Sequence, residues 1–101
     1  MADFDEHVRR ALDALPADLA RALENVAVVI EDENAQEPDL LGLFEEAPYL
    51  PAKVTIYRRP LQQDFGDDPV ELEQEIRITV LHELAHYFGI DEAMLDELGY
   101  R

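Results

Sequence analysis

Two of the chain's three histidines stand four residues apart around a glutamate, in the stretch HELAH of VLHELAHYFGIDE. Residues four apart on an α-helix have Cβ atoms about 6 Å apart, so His82 and His86 can bring both imidazoles onto one ion at about 2.0 to 2.1 Å each. Glu83 lies about 100° round the helix from His82. That direction suits a water bound to the ion better than the ion itself. The HExxH spacing therefore divides the labour: neutral imidazoles hold Zn²⁺, the ion brings the pKa of its water towards roughly 7, and the neighbouring carboxylate takes the proton as the water attacks a carbonyl. A hydrolytic zinc site needs three protein ligands and one open position. Gly89 permits a sharp turn straight after the second histidine, and Asp91 and Glu92 follow it, so either carboxylate can be returned towards the ion.

Composition narrows the donors and the partners. With no cysteine in the chain, disulfides, thiolate zinc sites and a cysteine nucleophile are all excluded, which leaves His and carboxylates to hold any metal. Twenty-four acidic residues stand against eight basic ones, for a formal charge of -16. So negative a surface repels phosphate backbones and anionic lipid, so neither a nucleic acid nor a membrane is expected as a partner. The N-terminal stretch MADFDEHVRRALDAL has no apolar export region, and no segment has the length of a membrane span. With an initiator Met and no export signal, a soluble cytoplasmic protein is expected. The 101 residues, 48% of them apolar, fit one globular domain over residues 1–101. Oligomeric state stays open.

The elements that must position the histidines follow from periodicity. Phe4, Val8, Ala11, Leu12 and Leu15 recur at helical spacing, and Pro16 opens a second short helix carrying Leu19, Ala22 and Leu23. Three runs read as strands: VAVVI over 26–30, LLGLF over 40–44 and KVTIYR over 53–58, with Pro60 closing the last. Gly42 marks a bulge or a close approach of another backbone. Residues 61–68, LQQDFGDD, read as a connector. Asp68, Pro69 and Glu71 then fall at the cap, first and third positions of a long helix from Pro69 to Phe88, ended by Gly89. Leu95 and Leu98 follow on a short C-terminal helix. Helices, then strands, then helices without regular alternation give an α+β class: a small mixed three-stranded sheet packed on the histidine-bearing helix.

Motif and elements together resemble the minimal zincin family, small bacterial zincin-like metallopeptidases with the pattern HExxHxxGxxD. The likeness runs through LPADLARALENVAVVIEDE, LLGLF, LPAKVTIYRRPL and VLHELAHYFGIDEAMLDELGY. It implies zinc ligands at His82 and His86, a general base at Glu83 and a turn at Gly89. By the metzincin-type spacing it places a third ligand six residues after the second histidine, at Glu92. The family usually has Asp there; this chain has Glu92, with Asp91 one place earlier. Glu92 is the expected ligand, because a one-residue slip after Gly89 would aim the carboxylate to another side. The resemblance further implies hydrolysis of a peptide bond in a peptide or protein substrate lying as an extended strand along a sheet edge, for which LLGLFE and KVTIYR are both candidates. The rival reading is a zinc-binding regulatory or protein-interaction module with little or no catalysis, since about 100 residues leave little room for deep specificity pockets. A structural zinc site would require Asp91 and Glu92 to bind together.

The remaining candidates have plainer readings. Tyr49, Tyr57, Tyr87 and Tyr100 carry hydroxyls of the kind that zincins use on an oxyanion, yet each reads as core or rim packing. His7 reads as a half-exposed helix histidine and Met94 as core. Glu75, on the histidine face two turns earlier, reads as a solvated glutamate able to hydrogen-bond near the site, and Arg77 as a snorkelling side chain. The acidic trio Glu31, Asp32 and Glu33 reads as a solvated turn, because the alternating oxygen ligands and glycine of a calcium loop are missing.

Overall fold

The computed structural model describes residues 3–47, 50–88, 93 and 97. Helix α1, Phe4–Asp13, is capped by Asp3, whose carboxylate accepts a hydrogen bond from the Glu6 backbone N–H at 2.9 Å, and it carries Asp5 and Glu6 in its first turn, where the helix dipole favours negative charge. Pro16 caps α2, Ala17–Ala22, which tightens into a 3₁₀ turn over Leu23–Asn25 and delivers the chain into β1, Val26–Glu31. Strands β2, Gly42–Ala47, and β3, Leu50–Tyr57, follow. The third strand thus begins three residues before the predicted KVTIYR, because β2 and β3 form a close hairpin and not a separate turn over EEAPYLPA.

The sheet order is β1-β3-β2, with β1 parallel and β2 antiparallel to β3. KVTIYR is therefore the centre of the sheet and cannot offer an edge. Among the described residues β2 pairs only with β3, so its outer side is an edge. The bulge falls between Glu45 and Ala47, not at Gly42.

Residues 58–65, predicted in part as a connector, form a helix instead: α3, Arg58–Phe65. Pro60 sits in its first turn, where a missing N–H costs nothing, and Leu61 and Phe65, four apart, turn to the core. Asp32 accepts from Arg58 Nε at 2.9 Å and from its Nη2 at 2.7 Å, and Glu33 pairs with Arg59 at 2.9 Å. The acidic turn thus docks the start of α3. Hydrogen bonding to Arg58, and then its charge, holds the Asp32 carboxyl below the usual carboxylate range.

Helix α4, Pro69–Phe88, has the predicted bounds. Asp68 Oδ1 accepts from the Val70 N–H at 2.9 Å and from that of Glu71 at 3.4 Å. Its 20 residues make a rod of about 30 Å. One side, Leu72, Ile76, Val80 and Leu84, is buried with Val54 and Ile56 of β3, Phe4, Val8 and Ala11 of α1, and Leu61 of α3. Leu81 and Ala85 face a smaller cluster with Leu15 and Leu19. Each such Leu, Ile or Val contributes about 1.5–3 kcal/mol by leaving water, and together they fix how α4 is rotated against the sheet.

His7 is not half-exposed as its sequence position suggests. It is buried on α1, and its Nδ1 lies 2.6 Å from Glu73 Oε2 of α4, with Arg10 Nη1 at 3.9 Å from the same oxygen. This contact clasps α1 to α4. Arg77 hydrogen-bonds Gln74 along α4. No helix of the described residues is long and apolar enough to cross a membrane.

Candidate metal centre

Rotation of α4 decides which residues line the flank beside the core. Glu75, Thr79 and His82 fall at helical spacing on one stripe of α4, with Ile78 and Glu83 beside it. They form one wall of a cleft of about 420 Å³, and Asp39, Leu40, Leu41 and Gly42 form the other. The His82 side of the site is thus opened between a helix and the start of an edge strand.

His82 carries the observation that matters most. Its Nε2 is buried and has no hydrogen-bond partner among the described residues. Leaving a buried polar atom unmade costs about 1–3 kcal/mol, and such an atom in a native structure calls for an explanation. A neutral imidazole nitrogen is a good zinc ligand, so the residue present fits the implied ion. His86 follows one turn later on α4; its side chain lies outside the described residues, as do Gly89, Asp91 and the whole of Glu92. Among the described residues no group of three or more His, Asp or Glu stands close enough to hold a metal.

Glu83 follows His82 on the cleft wall and lies against Gly42. Gly42 pairs with Ile56, so its α-hydrogens face α4 on the same side as the core. A Cβ there would come within 2.5 Å of Thr79 Cγ2 and within 3.7 Å of Glu83 Cγ. The predicted close approach is therefore real: the nearest neighbour is a helix side chain, and the Thr55 backbone carbonyl of β3 follows at 3.3 Å. Thr79 is held in place because its hydroxyl donates to the Glu75 carbonyl at 2.8 Å. Hence Gly42→Ala should destabilise the protein by about 1–3 kcal/mol through overpacking, lowering Tm by several degrees in a thermal melt. Adding Thr79→Ser removes the obstructing methyl and should restore most of the loss; a double variant no better than Gly42→Ala would disprove this contact as the cause.

The edge itself is oriented by pairing. The Tyr57 N–H donates to the Leu41 carbonyl at 3.0 Å, which makes Leu41–Tyr57 a hydrogen-bonded pair of the antiparallel ladder. Directly opposite pairs alternate, so Gly42 turns its own N–H and C=O away from β3, towards the open side.

Glu75 lines the cleft two turns before His82. Burial pushes its carboxyl up from the usual range, the charge of Glu71 adds to this, and His82 opposes it. It is thus a partly desolvated carboxylate and not the freely solvated one predicted. Tyr57 is buried, with its hydroxyl accepting from Asn34 Nδ2 at 3.0 Å, in keeping with its reading as core. Tyr49, Tyr100 and Met94 lie outside the described residues, as does the Tyr87 side chain. Thr79 and Asp39 were not singled out from sequence. Thr79 was within reach, three residues before His82 on its stripe; Asp39, in an irregular loop, had no periodicity to place it.

No curated protein matches the chain. A family model described as zincin-like metallopeptidase matches residues 23–100, which take in all three strands, α3, α4 and the full histidine motif. With that match over most of its length, on an α+β framework that sets an HExxH helix beneath an edge strand, the chain belongs to the zincin-like metallopeptidase family.

Proposed function

We propose that the protein is a zinc-dependent peptidase in which His82, His86 and Glu92 hold the metal and Glu83 is the general base. The observation that carries this reading is the buried Nε2 of His82, which has no hydrogen-bond partner among the described residues, next to Glu83 on the wall of an open cleft. When bound, Zn²⁺ supplies Lewis acidity and a water acidified towards roughly neutral pH. The chain supplies the rest. The substrate main chain adds to the outer edge of β2, where the Gly42 N–H and C=O are aimed, and this β-addition sets the scissile carbonyl over α4. Glu83 accepts a proton from the attacking water on its carboxylate and returns it to the leaving amine, the same group serving as base and then as acid. Gly42 keeps strand and helix close enough for both tasks, since any side chain there would meet Thr79.

The test is a peptide-library cleavage screen on the zinc-loaded chain together with zinc titrations of two variants. Cleavage should appear and be abolished by a chelator. Glu92→Ala should bind zinc much more weakly than wild type, whereas Asp91→Ala, losing only a nearby charge, should bind almost normally. The reverse order would transfer the third ligand to Asp91, and zinc binding without any cleavage would leave the regulatory module as the better reading.

A further inference from the structure

The cleft that His82 lines also carries two acidic residues, Glu75 and Asp39. Glu75 stands seven residues before His82 on α4, about 10 Å along the axis at 1.5 Å per residue. Asp39 lines the same cavity from the loop before β2. Among the described residues neither carboxylate has an ion pair or a side-chain hydrogen bond, whereas Glu6, Asp32, Glu33, Glu45 and Glu73 each hold an Arg, Lys or His. Leu40, Leu41 and Ile78 supply apolar wall. His82, whose Nε2 is buried without a hydrogen-bond partner among the described residues, lines the same cavity. An apolar wall that carries two carboxylates without an ion pair among the described residues is complementary to a cation on a long aliphatic stem.

We propose that the cleft selects peptides with a Lys or Arg next to the scissile bond, and that Glu75 and Asp39 are the residues that read the cation. The position of the bond rests on the peptidase reading above; the binding preference does not. One residue of extended strand advances about 3.3 Å, and the stem of Lys or Arg covers most of the remaining distance to Glu75. A basic residue at or beside the bond therefore reaches Glu75, and a short side chain does not. The overall charge of -16 adds a general attraction for cations, so the test must separate the local effect from the whole-chain field.

Matched extended peptides differing only as Lys or norleucine at that position are titrated, by fluorescence anisotropy in about 0.15 M salt, into three full-length proteins. These are wild type, Glu75→Gln/Asp39→Asn, and Asp13→Asn/Glu24→Gln, the last removing two exposed acids outside the cleft lining; circular dichroism confirms that each folds. Wild type should bind the Lys peptide roughly five- to tenfold more tightly than its norleucine twin. The ratio should fall to about one in the cleft variant and persist in the charge-matched control. Asp39→Asn alone, at an exposed loop position, should lower the ratio partway and keeps the test valid if the double variant does not fold. A ratio unchanged in the cleft variants, lost equally in the control, or absent from wild type overturns the proposal. Cleavage of the same peptides is scored separately: selective binding without cleavage upholds this inference while defeating the peptidase reading, and cleavage of both peptides with equal binding does the opposite.

Discussion

Replacing His82 by alanine should take the zinc content of the purified protein from about one equivalent to almost none, yet leave the metal-free protein nearly as stable as wild type. The second half is the unusual one. Truncating a half-buried side chain ordinarily costs lost contacts, but Nε2 of His82 is buried with no partner among the described residues and is itself a burden of about 1–3 kcal/mol in the metal-free state. Removing it relieves that burden, and the two terms oppose each other. Zinc should separate the proteins again. A ligand at a thousand times its Kd stabilises the folded state by about 4 kcal/mol, and each kcal/mol moves the Tm of a domain this size by about 4–8 °C. Saturating zinc should therefore raise the wild-type Tm by well over 10 °C and leave that of His82→Ala in place. A normal zinc-induced shift in the variant would remove His82 from the metal centre.

Glu83→Gln should keep the zinc and lose the reaction. The substitution preserves volume beside Gly42, where the Glu83 side chain packs, and exchanges only a proton-accepting oxygen for an amide that cannot accept a proton at working pH. Positioned general bases contribute about 10²–10⁴-fold, so kcat should fall by that factor. KM should move little, because proton transfer develops only in the transition state. Zinc content measured on the same preparation gives the result its meaning. Full cleavage by the variant would exclude Glu83 as the base, while loss of zinc would show that it holds the metal instead.

Much of this arrangement was legible because it is written in local periodicity. α4 announces itself through Asp68, Pro69 and Glu71 at one end and through the repeat of Ile76, Val80 and Leu84, and its Pro69–Phe88 bounds are those predicted. The pairing of His82 with Glu83 on the cleft wall follows from the same helix. What sequence could not decide is non-local. Which strand lies at the edge depends on the crossing of β1 to β3 in parallel, and no residue of KVTIYR states that it is central. The partner of His7 is 66 residues away on another helix, so a histidine that looks peripheral on α1 is buried against Glu73. α3 was missed for a different reason: Gly66 and three aspartates weigh towards a turn, and only Leu61 and Phe65, a single helical pair, argue against it.

The clasp between His7 and Glu73 also bears on where this protein can be cut. The family match begins at residue 23, so α1 falls outside it, although α1 gives Phe4, Val8 and Ala11 to the packing that also buries Ile76, Val80 and Leu84 of α4. A shortened protein designed on the matched region alone would strip that flank of α4, leave Glu73 without its imidazole, and present a run of Ile, Val and Leu to solvent on the back of the helix that carries the histidines. The stretch that family resemblance delimits is smaller than the stretch that must be expressed for the metal centre to keep its scaffold.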